Sequence, residues 1–96
     1  MQYGKVALVI TKQMDIREVL DQLARTKFKA TCVVQLEWDQ NQFSVDNGMN
    51  NIRAVIDEKR KLILFCCRYP HFIDIAEELV RDFATEKALL IKNLDV

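Results

Sequence analysis

Two short, almost wholly apolar runs, within residues 5–11 and 61–67, constrain the fold of this chain most strongly. Both are far shorter than the roughly 20 apolar residues that a membrane-spanning helix needs. Short runs rich in aliphatic side chains are typical of strands that are buried on both faces of a sheet. The sequence therefore predicts a sheet whose central strands present apolar side chains on both sides, and it predicts no membrane segment.

An amphipathic helix pattern follows each apolar run. Asp15 is suited to an N-cap, and apolar residues then recur at helical spacing, which predicts a helix over about 15–26. Pro70 is suited to the first turn of a second helix, because its missing N–H has no partner there in any case. The apolar stripe expected on that second helix consists of Phe72, Ile75, Ala76, Leu79, Val80 and Phe83.

Two further segments have the character of strands. Residues 30–38 alternate between an apolar set and a more polar set, which favours a strand near the edge of a sheet. Residues 88–92 are mainly apolar and are predicted to form the last strand. The order is then strand, helix, strand, variable segment, strand, helix, strand.

The variable segment, 39–60, is the hardest to assign. Turn-forming residues flank a short strand predicted at 43–45. Beyond them, residues 52–57 fit two patterns: a helical face, and a strand that leads into a turn at 57–60. We favour a brief helix over about 50–59 and keep the strand as the alternative.

This order predicts one α+β domain over residues 1–96, a ferredoxin-like βαββαβ sandwich with an antiparallel sheet. In that topology two helices cover one face of the sheet, whereas both central runs here are apolar on both faces. Monomers rarely expose such a surface. We therefore expect a homo-oligomer, a dimer or a trimer, and the alternative is a three-layer α/β/α fold in which a third helix at about 50–59 covers the face.

The sequence pattern resembles that of a known family in residues 5–11 followed by 15–23, in the entry to the second strand at 28–31, and in the long segment 39–60. In these segments the chain resembles the PII-type signalling superfamily. The resemblance implies a small ferredoxin-like domain whose sheets face inward in a trimer, with a large loop between its second and third strands. Nucleotide-binding members of that superfamily use glycines around their ligand. Gly48 is the only glycine here after Gly4, so no ligand residue is carried over and no cofactor is expected.

Composition excludes several chemistries. The chain has one serine, one histidine and two glycines, and its formal net charge is zero. A serine nucleophile, a multi-histidine metal site and a glycine-rich phosphate loop therefore lack their residues, and no catalytic or metal-binding set is predicted. The three cysteines, Cys32, Cys66 and Cys67, are expected to be buried thiols in a reducing cytoplasm.

These expectations favour a non-enzymatic, homo-oligomeric regulatory or binding module that contacts a protein partner or a small effector through 39–60. Bulky side chains beside turn-forming sequence, and cations next to them, are typical of an interaction surface. The candidate partner-binding residues are Trp38, Phe43, Met49, Arg53, Lys59 and Arg60.

Two alternatives belong to other functional classes. One is a nucleic-acid-associated protein that uses the basic cluster Arg53, Lys59, Arg60, Lys61 and Arg68, although the balanced charge argues against nucleic acid as a partner. The other is a small thiol-dependent enzyme in which Cys67 is paired with His71.

Overall fold

The computed structural model describes residues 2–28, 34–37, 42–46, 51–67 and 70–94. Within these ranges the chain forms an α+β domain of two helices and seven strands, which confirms the predicted class. In chain order the elements are β1 (Gln2–Tyr3), β2 (Val6–Val9), α1 (Ile16–Thr26), β3 (Val34–Glu37), β4 (Gln42–Asp46), β5 (Asn51–Asp57), β6 (Leu62–Cys67), α2 (Pro70–Lys87) and β7 (Ile91–Asn93).

The described strands make one antiparallel sheet in the order β3-β4-β5-β6-β2-β7, and β1 also pairs with β6. The two apolar runs, now β2 and β6, are adjacent and each is flanked by another strand, as their composition predicted. Strand β3 lies at one end of the order, which agrees with the edge position expected from its alternation. The succession β7-β2-β6-β5 is compatible with a ferredoxin-like sheet, with β3 and β4 added beyond β5.

The helix predicted at about 50–59 is wrong, and so is the three-layer fold that depended on it. Residues 51–57 form β5, which pairs with β4 on one side and β6 on the other. Burial alternates along it: Ile52, Ala54 and Ile56 are buried, while Arg53, Val55 and Asp57 are half-buried. Hydrogen bonding to two neighbouring strands satisfies the backbone of a β-branched segment and outweighs its weak helical pattern.

Both long helices begin where the sequence predicts. The Asp15 carboxylate accepts a hydrogen bond from the Glu18 backbone N–H at 3.3 Å, which satisfies one free donor at the start of α1. Helix α2 begins at Pro70, as predicted. Its apolar stripe differs in one position, because Ile73 is buried whereas Ile75 is 52% exposed.

The two helices pack on the same face of the sheet. Their buried side chains share one core with Val6 and Leu8 of β2 and with Ile63, Phe65 and Cys67 of β6. Successive residues of a strand alternate between faces, so the intervening residues belong to the other side of the sheet. We call that side the second face, and its described members include Tyr3, Ala7, Val9, Arg53, Val55, Asp57, Leu62, Leu64, Cys66 and Lys92.

Candidate binding surface on the second face of the sheet

An apolar band crosses the second face at the centre of the sheet. Val9 lies opposite Leu62, and Leu64 lies opposite Val55, so these four residues, the apolar band, are cross-strand neighbours. Leu62 is buried, whereas Val9, Leu64 and Val55 are half-buried. In the part of the chain that the structure describes, no helix contributes to this face.

The second face is less exposed than the sequence led us to expect. Ala7 is 0% exposed and Cys66 is 1% exposed, although neither belongs to the core beneath the helices. Both are small residues with larger ones beside them on neighbouring strands. Cys66, for example, lies between Tyr3 and Arg53. The apolar surface that remains available on the described part of this face is therefore the half-buried part of the apolar band and Tyr3, which is 54% exposed.

Arg53 introduces a charge at one end of this face. It is half-buried, and its Nε atom is buried without a hydrogen-bond partner. Burial raises the pKa of the neighbouring Cys66 thiol, and the positive charge of Arg53 partly opposes that effect. The Cys66 thiol is therefore neutral at physiological pH, and the charge of this pair resides on Arg53.

The other predicted cations lie at the opposite end of β5, in the turn before β6. Arg60 donates from Nε to Asp57 Oδ2 at 2.7 Å, and its backbone N–H donates to Oδ1 at 3.1 Å. These hydrogen bonds hold the pKa of Asp57 below its usual value. Arg53 lies four residues before Asp57, roughly 13 Å along a strand, so it does not share a surface patch with Lys59.

The remaining predicted contact residues are placed only in part. The backbone of Phe43 lies in β4, where it is aligned with Leu36 on one side and Ala54 on the other. Trp38, Met49 and Arg68, as well as Cys32, lie outside the described residues. Among the described members of the predicted basic cluster, Arg53 lies on the second face and is separated from Lys59, Arg60 and Lys61 in the turn.

The thiol hypothesis meets an unfavourable environment. Cys66 and Cys67 lie on opposite faces of β6, as their adjacency predicted, and neither forms a disulfide. Cys67 is 1% exposed, and burial, with smaller contributions from Cys66 and Glu77, raises its pKa to about 11. A nucleophilic cysteine needs access and a lowered pKa. His71 is exposed in the first turn of α2, and no group of three or more metal-ligating side chains occurs among the described residues.

Two cavities that no sequence motif had indicated lie beside the segment after β2. One has a volume of about 300 Å³ and lies between the two helices, where Met14, Val19, Phe83 and Leu89 provide its apolar lining. The other has a volume of about 350 Å³, and its described lining residues are Ile10, Thr11, Lys12 and Lys61. Side chains far apart in sequence meet at both cavities, so local patterns carried no signal for them.

Neither described helix is long and apolar enough to cross a lipid bilayer. Comparisons with protein-family models, curated proteins and solved structures found no match. The resemblance to the PII-type superfamily accordingly remains a prediction from the sequence pattern, and the function has to be argued from the geometry of this chain.

Proposed function

We propose that this protein is a non-enzymatic binding module that acts as a homo-oligomer, in which a second copy of the chain packs against the second face of the sheet. The observation that carries the proposal is the position of both helices on one face, while the apolar band lies on the other. Burying apolar surface contributes about 25 cal/mol per Å², so covering the band is favourable.

The charge of the chain permits this association. Its formal net charge is zero, so two copies do not repel each other at long range. The second face itself carries both signs, with Arg53 at one end and Asp57 at the other. Side chains of both signs around an apolar centre are typical of protein interfaces.

Contact with a further partner, a protein or a small effector, is proposed for the segment 39–60. Within its described part, Lys59 is exposed in the turn after β5, and Arg53 is half-buried on the second face. The buried, protonated thiols at 66 and 67 support the non-enzymatic part of the proposal. They also suit a reducing compartment such as the cytoplasm.

Light scattering coupled to size-exclusion chromatography tests the oligomer directly. We expect a mass of two or three times 11.2 kDa for the unmodified chain at micromolar concentrations. Leu64→Arg and Val55→Arg place a charge in the apolar band, and both variants should have the mass of a single chain. A monomeric mass for the unmodified protein would refute the proposal.

Ile75→Arg provides the matched control. Ile75 is 52% exposed on α2, on the helix side of the sheet, so the same apolar-to-arginine change there should leave the mass unchanged. Circular dichroism of each variant checks that the fold is retained. If Ile75→Arg dissociates the oligomer and Leu64→Arg does not, the interface lies on the helices instead.

A further inference from the structure

We propose that the cavity of about 350 Å³ beside Ile10, Thr11, Lys12 and Lys61 binds a small organic anion, with an apolar body and a carboxylate or phosphate group. The described lining of this cavity belongs to a single chain. The proposal therefore does not depend on the oligomer proposed above, and each can fail without the other.

Backbone pairing brings the two lysines to the same place. The Ile10 N–H donates to the Lys61 carbonyl oxygen at 2.8 Å, just beyond the point where Val9 pairs with Leu62. The chain after β2 therefore runs past the turn that leads into β6, and Lys12 and Lys61 line one cavity. Its volume is within the range of small-molecule sites, roughly 300–1,000 Å³.

The charges at this cavity favour an anion. Lys12 and Lys61 are exposed, and neither makes an ion pair with another described residue. Two acidic residues lie near this turn: Asp57 is already bonded to Arg60, and Glu58 is exposed and is not among the described lining residues. Both lysines line the cavity, and its described lining residues include no carboxylate, so their charges create a positive potential beside apolar surface that attracts an anionic group.

The apolar lining of the cavity and the backbone of Lys61 provide two further observations. Ile10 is partly buried and packs against the core, so the cavity adjoins apolar surface that an aromatic or aliphatic body would cover. Lys61 has a φ of 56°, a left-handed conformation that glycine and asparagine adopt more readily. Lys61 is the last residue of the four-residue hairpin loop between the paired residues Asp57 and Leu62, so the turn fixes its backbone beside the cavity.

Titration with benzoate and phenyl phosphate, followed by amide chemical shifts in ¹H–¹⁵N NMR spectra, tests the proposal. We expect one or both probes to shift the amides of residues 10–12 and 61, and the tighter probe identifies the preferred anionic group. The neutral analogue benzamide should produce no such shifts. Absence of shifts with both anions, or equal binding of benzamide, would overturn the proposal.

Lysine variants localise the site. Lys12→Gln and Lys61→Asn should each weaken binding by about fivefold, the effect of losing one ionic contact of about 1 kcal/mol. Asparagine is chosen at 61 because it tolerates a positive φ. Lys59→Gln removes the same charge from the same turn but not from the cavity lining, and it should leave affinity unchanged. If Lys59→Gln weakens binding equally, the anion is attracted by the overall positive charge of the turn and does not bind in the cavity.

Discussion

The end of α2 carries an alanine in a conformation that suits glycine. Ala88 has a φ of 55°, the Leu89 N–H donates to the Ala84 carbonyl at 2.8 Å, and the Ala88 N–H bonds to the Thr85 carbonyl at 3.4 Å. This pair of hydrogen bonds is the Schellman motif, in which the residue directly after the helix is left-handed and usually glycine. We therefore expect Ala88→Gly to stabilise the protein.

The magnitude follows from two opposing terms. A non-glycine residue in the left-handed region costs about 1–2 kcal/mol, which the substitution removes. Glycine also increases the conformational freedom of the unfolded chain, which costs roughly 0.5–1 kcal/mol. Ala88 is exposed, so no packing is lost. The expected net gain in the free energy of unfolding is about 0.5–1 kcal/mol, a rise in Tm of roughly 2–8 °C for a domain of this size.

Urea unfolding monitored by far-UV circular dichroism measures this change, and thermal unfolding gives a second value. The control is Glu78→Gly, at an exposed position inside the same helix, where glycine should cost about 1 kcal/mol. The two substitutions should therefore shift stability in opposite directions. If Ala88→Gly is as destabilising as Glu78→Gly, the left-handed conformation of residue 88 is wrong, and the end of the helix has to be described differently.

Two further predictions concern ionisable groups. In the native protein the thiols of Cys66 and Cys67 should resist iodoacetamide at pH 8, because both are buried and burial raises both pKa values. Mass spectrometry of the tryptic peptide 62–68 should show alkylation only after unfolding. Rapid alkylation of the native protein would contradict the burial of these thiols. For Asp57 the folded pKa lies below the unfolded value of 3.8, so its contribution to stability is complete above that value and is lost as pH falls through the folded pKa. Asp57→Asn should therefore reduce the loss of stability in urea unfolding between about pH 5 and pH 2, and an unchanged pH profile would show that the Arg60 contact contributes nothing.

The central strands and the helix starts could be predicted because local sequence determines them. Strands β2 and β6 are apolar on both faces and need neighbours on both sides, wherever in the chain those neighbours arise. Asp15 and Pro70 satisfy requirements of the first helical turn that involve only nearby residues. Strand β5 could not be assigned in this way, because Ile52, Val55 and Ile56 fit a helical face. The same segment also alternates as a strand, and pairing with β4 and β6 decides between the two.

The candidate surface was predicted less well, because the register of paired strands, and not the local sequence pattern, brings its residues together. The sequence grouped Arg53 with Lys59 and Arg60 by proximity along the chain. Extended strand geometry separates them, and pairing with β6 instead places Arg53 beside Cys66. The anion cavity depends likewise on the contact between Ile10 and Lys61, which are about 50 residues apart in the sequence.

Arg53 restricts which partner the second face accepts. A purely apolar partner would bury the rest of a guanidinium group whose Nε already lacks an acceptor, and burying a charge without a partner is strongly unfavourable. Asp57, the acidic residue at the other end of β5 on this face, already accepts from Arg60. In a two-fold interface each copy presents the same surface, so the acceptor for Arg53 must come from this chain's own sequence. A packing that covers the apolar band must therefore also bring a carboxylate or backbone carbonyl of the second copy to Arg53, which excludes arrangements that match apolar surface alone.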